Sequence, residues 1–239
     1  MNVTPITGLP EIQAGDDLAE LIAERFAFED GDVVVIAQKA VSKAEGRVVR
    51  LDELEPSDRA RELAAGDDPR RIEAILREAA ELVRTRPPLL IARTRHGFVC
   101  GSAGVDASNA PEPGTLVLLP LEPDASAQRI RDRLRELTGK DVGVIVSDSF
   151  GRPFRMGTTD VAIGAAGIRV LEDLRGTRDR SGYELRSTQI AVADELAGAA
   201  QLVMGKADGV PAAVVRGLAL EGDGAAAELV IPPERDLFR

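Results

Sequence analysis

The sequence predicts a mixed α/β or α+β fold, because apolar runs typical of buried strands alternate with amphipathic helical patterns from end to end. The 239 residues are 44% hydrophobic, and this is enough to bury a sizeable core without disulfides or a structural metal. The length fits either one large domain or two small lobes.

Continuous apolar runs predict five buried strands and a sixth candidate. The clearest run, residues 33–37 (VVVIA), follows the turn-forming pair Gly31-Asp32. Similar runs cover residues 89–92, 116–119, 142–146 and 212–215, and residues 189–192 form the sixth candidate.

Four amphipathic segments predict helices. The clearest begins at Asp68, an N-cap residue followed by proline. Apolar residues then recur at helical spacing to Leu82 and Val83, and Pro87-Pro88 ends the pattern. A second helix is predicted over residues 124–138 and ends at Gly139, and two more over 17–25 and 193–203. The apolar face of the second comprises Ala127, Ile130, Leu134 and Leu137.

Four segments rich in Gly, Pro, Asp and Ser are predicted to be loops, where binding residues are often found. They cover residues 6–12, 97–110, 148–160 and 176–188.

Composition excludes several classes of protein. The net charge of −10 argues against a nucleic-acid partner, which would require a concentrated basic face. Cys100 is the only cysteine, so neither an intrachain disulfide nor a cysteine-based zinc site can form. No apolar stretch approaches membrane-spanning length, and residues 1–17 lack a signal-peptide pattern. We therefore expect a cytoplasmic protein without a membrane partner.

Familiar nucleotide motifs are absent. There is no G-x-x-x-x-G-K-[ST] and no G-x-G-x-x-G between a strand and a helix. The glycine-rich residues 97–104 fit either an anion-binding loop or a plain turn. The sequence contains no convincing nucleophile–base pair, so nothing in it indicates a triad hydrolase.

Two acidic segments are candidates for a metal site. Asp106 lies in the polar stretch 104–109, and Ser147-Asp148-Ser149 directly follows the apolar run 142–146. Carboxylate and hydroxyl oxygens at the end of a buried strand suit Mg²⁺ or Mn²⁺. The alternative is that both aspartates cap turns or helices, which is the more common role for this residue type.

The chain has 30 basic residues, and only four of them are lysine: Lys39, Lys43, Lys140 and Lys206. A compact ammonium suits phosphate binding, whereas codon usage and chance are the alternative explanation. For Lys140, which follows Gly139 at a predicted helix end, a simple helix-dipole contact is the better interpretation. The single histidine, His96, fits a general base or, more commonly, a hydrogen-bonded loop residue.

Seven stretches, taken together and in order, resemble the coenzyme F420-0:L-glutamate ligases, also called F420 gamma-glutamyl ligases. The resemblance covers nearly the whole chain. The stretches are residues 8–12 (GLPEI) with 15–18 (GDDL), 41–47 (VSKAEGR), 94–100 (TRHGFVC), 104–109 (GVDASN), 147–152 (SDSFGR), 204–208 (MGKAD) and 232–239 (PPERDLFR).

The resemblance implies an α+β, mixed-sheet fold particular to this family, in an intertwined homodimer. It implies a single ligase domain over residues 1–239, without a C-terminal reductase domain. It also implies GTP as co-substrate, two sites for Mg²⁺ or Mn²⁺, and K⁺.

By position, the resemblance implies catalytic roles for Asp106, Asp148 and Lys43. The same two aspartates would bind the first metal, and Ser149 would bind the second. The residues implied to contact GTP are Leu9, Pro10, Glu11, Ile12, Gln38, Lys39, Lys43, Asn109, Met204, Gly205, Lys206, Ala207, Asp208, Gly209, Val210 and Pro211.

One position departs from the family pattern. Lys206 stands where archaeal relatives carry a glutamine that helps to ligate the second metal. Because an ammonium cannot ligate a cation, either the second metal has fewer protein ligands or Lys206 contacts a phosphate directly.

The implied reaction transfers phosphate from GTP to the carboxylate of F420-0, or of dehydro-F420-0, and the amine of L-glutamate then displaces it. The resemblance also allows the addition of further gamma-linked glutamates, and the sequence leaves their number open. Phe98, Phe150, Phe154 and Tyr183 are candidates to stack on the deazaflavin ring, with core packing as the other role for at least two of them. Two alternatives remain: an amide ligase with a different acceptor, and a GTP-binding protein without catalysis.

Overall fold

A computed structural model describes residues 1–237, so Phe238 and Arg239 of the resembling tail 232–239 lie outside the described residues. The strands are Asn2–Pro5 (β1), Val33–Ala37 (β2), Val48–Arg50 (β3), Ala79–Arg86 (β4), Leu89–Thr94 (β5), Val99–Gly101 (β6), Thr115–Val117 (β7), Gly143–Gly151 (β8), Thr158–Ala166 (β9), Glu172–Asp173 (β10), Gln189–Ile190 (β11) and Ala212–Arg216 (β12). The α-helices are Leu18–Ala23 (α1), Gln38–Ala44 (α2), Asp58–Ala64 (α3), Pro69–Glu78 (α4), Pro123–Thr138 (α5) and Val192–Met204 (α6).

A five-stranded sheet in the order β1-β12-β2-β8-β9 forms the centre of the fold. β2 and β8 pair in parallel, whereas the other neighbours in this sheet are antiparallel. The predicted α+β fold with a mixed sheet is therefore confirmed. The predicted homodimer and the alternative of two lobes stay predictions.

Both faces of the central sheet are buried, as the continuous apolar runs predict. Successive side chains of a strand point to opposite faces. Val34 and Ile36 of β2 thus join one apolar cluster with α1, α2 and α5. Val33 and Val35 join a second cluster, which α6 covers. The paired strands β2 and β8 are consequently held rigidly between helical layers.

A third apolar cluster lies among α3, α4, β5 and β7. Ile72 and Ile75 of α4 are fully buried there against Leu90 of β5. α4 begins as predicted, with the side chain of Asp68 accepting a hydrogen bond from the amide of Arg70 and proline in the first turn.

The prediction of one helix from Asp68 to Val83 is wrong beyond Glu78. The chain becomes strand β4 at Ala79, and β4 pairs antiparallel with β5 along its length. Leu82 and Val83 therefore lie in a hairpin, and Pro87-Pro88 forms its turn. Pairing with β5 satisfies the backbone groups of this segment and overrides the helical spacing of its apolar residues.

Two predicted loops contain strands. β8 continues beyond the apolar run to Gly151, and β9 begins at Thr158. Asp148 and Ser149 therefore lie inside a hydrogen-bonded strand pair, and only residues 152–157 connect the two strands. The predicted loop 97–110 likewise contains β6. The sequence did not reveal these extensions, because their side chains are mostly polar. Strands alternate their side chains between two faces and can pair without a continuous apolar run.

Smaller differences concern element ends. The candidate strand 189–192 is confined to Gln189–Ile190, and α6 begins at Val192. The predicted strand 116–119 is Thr115–Val117. Strands β1, β3, β9 and β10 and helices α2 and α3 were missed, because they are short or only partly apolar. Over residues 1–237, no helix has the length and apolarity needed to cross a bilayer.

Helix α5 provides a test of the packing. Both Leu134 and Leu137 were predicted on its apolar face, but Leu134 is 0% exposed and Leu137 is 39% exposed. We expect Leu134→Ala to lower the free energy of unfolding by about 2–5 kcal/mol, because it leaves a cavity in the core. Leu137→Ala should cost less than about 1 kcal/mol. Urea unfolding monitored by circular dichroism measures both, and equal losses would contradict this packing.

Candidate active site

A cavity of about 290 Å³ opens at the carboxyl ends of β2 and β8. The last aligned pair of this parallel ladder is Ala37 with Ser147, so the residues that follow both are neighbours in space. Ligands of α/β proteins commonly bind at the carboxyl ends of parallel strands. The chain leaves β2 directly into α2, and the first turn of α2 lines the cavity without a side-chain cap on its amides.

Most residues implied by the resemblance line this one cavity. They are Leu9, Pro10, Glu11, Ile12, Gln38, Lys39, Lys43, Asn109, Asp148, Ser149, Met204, Gly205, Lys206, Gly209, Val210 and Pro211. Asp106, Ala207 and Asp208 are not among the lining residues. Four residues that were not predicted also line the cavity: Ala37, Ala40, Ser147 and Asp160.

Three of the four lysines meet in the cavity. Lys39 and Lys43 are contributed by α2, and Lys206 by the segment after α6. The fourth, Lys140, lies elsewhere, with its Nζ 3.5 Å from the carboxylate of Asp30. This position, just beyond the end of α5, is consistent with the helix-dipole contact expected from the sequence. The other three lysines bring positive charge to the cavity.

Acidic side chains hold two of these lysines. The Nζ of Lys39 donates to the carboxylate of Asp106 at 2.5 Å and to the carbonyl oxygen of Ser108 at 2.8 Å. Burial by itself would raise the pKa of Asp106, but the hydrogen bonds from Lys39 and Ser108 outweigh it and lower the pKa to about 2. Asp106 is therefore ionised, and Lys39 connects it to the cavity. Lys43 is nearly buried and donates to Glu11 at 2.5 Å.

The β8–β9 hairpin contributes two carboxylates to the cavity lining, those of Asp148 and Asp160. Asp148 pairs with Val161, and Ser149 pairs with Asp160. The register shifts between Val146 and Ser147, and such bulges re-aim side chains next to functional sites. Burial, and secondarily the negative charge of Asp160, raise the pKa of Asp148 to about 7, although Lys39 and Lys206 oppose the shift.

The donor set of this hairpin suits a hard divalent cation. The carboxylate of Asp148 and the hydroxyl of Ser149 offer oxygen ligands, and the carboxylate of Asp160 is hydrogen-bonded to that hydroxyl. No cluster of three or more acidic, histidine or cysteine side chains is arranged around a metal position within residues 1–237. An ion held here would thus be open to ligand oxygens, as Mg²⁺ sites at phosphates usually are.

One buried polar atom in the cavity wall lacks a partner. Gln38 is 1% exposed, and its Oε1 accepts a hydrogen bond from the hydroxyl of Ser42 at 2.9 Å. Its Nε2 has no hydrogen-bond partner within residues 1–237. An unsatisfied buried donor costs about 1–3 kcal/mol. Gln38 is thus prepared to donate to a ligand acceptor.

The segment after α6 has a fixed shape. Gly205 adopts a φ of +63°, and a Cβ there would lie 2.0 Å from Oδ2 of Asp208. Asp208 therefore packs against the backbone of Gly205, although it does not line the cavity. From the other side, the Nδ2 of Asn109 donates to the carbonyl oxygen of Lys206 at 3.3 Å. These contacts place Lys206 with its Nζ 3.5 Å from the Oγ of Ser149.

The match to known proteins extends over the same segments. Residues 7–217 match the family model described as F420-0:Gamma-glutamyl ligase. The chain belongs to this family. It is 52% identical to the coenzyme F420:L-glutamate ligase of Methanopyrus kandleri, covering 100% of this chain and 98% of that protein. Its identity to the protein of the same name from Archaeoglobus fulgidus is 48%, covering 100% and 96%. The resemblance stated from sequence is confirmed.

Four other residues of this gamma-glutamyl ligase family member lie outside the cavity lining: His96, Phe98, Cys100 and Phe150. The Nε2 of His96 hydrogen-bonds to the carbonyl oxygen of Leu121 at 2.9 Å, which favours the loop role over that of a base. The His96 ring stacks on Phe98, which meets Phe150 edge-on. Burial, and next the charge of Asp148, raise the pKa of the Cys100 thiol to about 12.

Asp160 is the acidic residue that sequence reasoning missed, because it fell in the predicted loop 148–160. A signal for it exists. Asp148 lies one residue beyond one apolar run, and Asp160 directly precedes another, Val161-Ala162-Ile163. If two such runs pair as an antiparallel hairpin, both aspartates fall at the same end of the sheet, as they do here.

The raised pKa of Asp148 predicts a pH dependence of stability. The carboxyl of Asp148 keeps its proton up to about pH 7 in the folded protein, whereas in the unfolded chain it releases the proton near its ordinary pKa of 3.8. Because the folded state binds more protons in this window, the contribution of Asp148 to stability falls as pH rises through it. In EDTA, we expect Asp148→Asn to become progressively more stable than the native chain between pH 4 and pH 7. The difference should be constant above this range.

Thermal unfolding of both proteins across this pH range measures the effect. Asp132→Asn is the control, because Asp132 is an exposed carboxylate on α5 and does not line the cavity. A stability difference for Asp148→Asn that does not change with pH would contradict the assignment.

Proposed function

We propose that this chain is a GTP-dependent ligase that joins the amine of L-glutamate to the carboxylate of F420-0 or dehydro-F420-0. The names of the relatives support glutamate ligation to an F420 coenzyme. The observation that carries the proposal is the convergence of Lys39, Lys43 and Lys206 on one cavity that also contains Asp148 and Ser149. Such a cavity suits a nucleoside triphosphate bound with a divalent cation.

The polyphosphate is proposed to lie between the first turn of α2 and the segment 204–211. Lys39 and Lys43 contribute point charges for its oxygens, and uncapped amides at the start of a helix favour anions. Gln38 supplies the free buried donor. Proximity of Lys206 to Ser149 supports a direct phosphate contact for this lysine, which replaces a metal-ligating glutamine.

Asp106, Asp148 and Ser149 are proposed to hold Mg²⁺ or Mn²⁺ at two sites. When bound, these ions neutralise developing charge on the phosphoryl oxygens. Rotation of Lys39 away from Asp106 and onto a phosphate would free that carboxylate for the cation. K⁺ as a further cofactor and the homodimer belong to the same proposal.

The reaction proceeds in two steps. A carboxylate oxygen of F420-0 attacks the γ-phosphorus of GTP, the bond to the β,γ-bridging oxygen breaks, and GDP leaves. The glutamate amine then attacks the acyl carbon, inorganic phosphate leaves, and the nitrogen loses a proton as the amide forms. The residues of the cavity supply positioning and charge neutralisation, which phosphoryl transfer chiefly requires.

The deazaflavin ring is proposed to lie against aromatic side chains beside the cavity. Phe150 follows Ser149 in β8, and Phe98 contacts it with ring centroids 6.1 Å apart. Phe154 and Tyr183, the other candidates from sequence, are 90% and 64% exposed. Phe98 and Phe150 also pack against the core, so they offer a fixed surface.

Purified protein incubated with GTP, Mn²⁺, K⁺, L-glutamate and F420-0 tests the proposal. We expect GDP, phosphate and an F420-0 derivative heavier by one or more glutamyl residues, measured by mass spectrometry. Replacing GTP with ATP, glutamate with aspartate, or F420-0 with another carboxylic acid should reduce the yield. GTP binding without phosphate release would indicate a non-catalytic protein instead, and a better alternative acceptor would indicate a different amide ligase.

The lysines provide a matched mutational test. We expect Lys43→Ala to lower kcat/KM for ligation at least 100-fold, because it removes a desolvated charge from the phosphates. Lys140→Ala should leave turnover within about twofold of the native rate, since Lys140 lies outside the cavity. Steady-state phosphate release measures both, and equal effects would refute the role of Lys43.

A further inference from the structure

A buried carboxylate next to Ser149 has no role in the reaction described so far. Asp160 of β9 is 6% exposed and lines the cavity. The hydroxyl of Ser149 donates to its Oδ1 at 2.6 Å, and the hydroxyl of Ser147 donates to its Oδ2 at 3.1 Å. Ser147 and Ser149 are two residues apart in β8, so both hydroxyls reach the same face of the hairpin.

Asp160 is held in place but is not neutralised. Its backbone amide donates to the Oε1 of Gln201 in α6 at 3.1 Å, and the Nε2 of the same glutamine approaches the Oγ of Ser149 at 3.4 Å. Among residues 1–237, no lysine or arginine forms an ion pair with Asp160. A buried carboxylate with only hydroxyl donors is costly. A compensating cation nearby would offset that cost.

The geometry has a direct consequence for Ser149. A hydroxyl has one proton and two acceptor lone pairs. Because the hydroxyl of Ser149 donates its one hydrogen bond to Asp160, its Oγ can act only as an acceptor toward the cavity. The contacts on its other side fit this description, because the Nζ of Lys206 and the Nε2 of Gln201 are both donors.

We infer that Asp160 is a positioning residue, which fixes the hydroxyl of Ser149 as an oxygen ligand for a divalent cation. This inference rests on the proposed function, and it deepens the proposed role of Ser149. Carboxylates that orient a metal-ligating side chain commonly contribute 10–100-fold to metal affinity. Asp160 would act in this way through Ser149, without itself contacting the substrates.

Mn²⁺ binding to the full, EDTA-treated chain without nucleotide tests the inference. We expect Asp160→Asn to weaken Mn²⁺ binding about 10–100-fold, measured by electron paramagnetic resonance of free Mn²⁺. The control Asp194→Asn should bind Mn²⁺ like the native chain, since Asp194 accepts a hydrogen bond from the amide of Ala162 outside the cavity. Unchanged affinity in Asp160→Asn would overturn the inference.

A double-mutant cycle distinguishes an indirect from a direct role. If Asp160 acts through Ser149, Asp160→Asn should cost little further affinity in a Ser149→Ala background. A full additional loss would show that Asp160 contacts the ion itself, and it would overturn the positioning role. Ser149→Thr, which keeps the hydroxyl, should retain Mn²⁺ binding and Ser149→Ala should not. If Asp160→Asn fails to fold, comparing these two Ser149 variants still tests whether the hydroxyl at this position binds the ion.

Ligation kinetics separate a positioning role from a structural one. Added Mn²⁺ should restore most of kcat in Asp160→Asn while its apparent KM for Mn²⁺ stays raised, whereas a misfolded site would not recover. If the native chain ligates glutamate but Asp160→Asn binds Mn²⁺ normally, only this inference fails. If the native chain forms no product, yet Asp160→Asn still loses Mn²⁺, the proposed function fails and the role of Asp160 stands.

Discussion

The parallel pairing of β2 with β8 is the constraint on which the cavity depends. Their aligned ladder ends at Ala37 and Ser147. The start of α2, which follows β2, and Asp148-Ser149, which follow in β8, therefore lie next to each other. The apolar clusters on both faces of the sheet prevent either strand from sliding. A one-residue slip would turn every side chain to the opposite face. The positions of Lys39 and Asp148 therefore follow from packing far from the cavity itself.

Within this frame, the charges of the cavity are only partly paired. Lys39 and Lys43 each have a carboxylate partner, whereas Asp148 and Asp160, on neighbouring strands of the hairpin, form no ion pair within residues 1–237. The free donor of Gln38 adds to this imbalance. A phosphate bound with a divalent cation would satisfy all of these groups together, because it supplies acceptors for the donors and positive charge for the carboxylates.

Membership of the F420-0:gamma-glutamyl ligase family and the observed cavity support each other through independent observations. The family match concerns the order of residues along the chain, whereas the cavity concerns their position in space. Residues from six separate segments, beginning at Leu9 and ending at Pro211, meet in one place. The Nζ of Lys206 lies 3.5 Å from the Oγ of Ser149, so the protein itself brings a cation to this side of the cavity.

The sequence by itself determined the core strands, α5, and most residues of the cavity, because apolar runs and ordered motifs are local signals. It could not determine that residues 79–86 form a strand or that Asp148 lies within one, since both depend on pairing with a distant segment. Only the tertiary structure decided that Asp106 reaches the cavity through Lys39 and that Asp160 binds Ser149. Those contacts join residues 67 and 11 positions apart, and no local pattern encodes the hydrogen bonds between them.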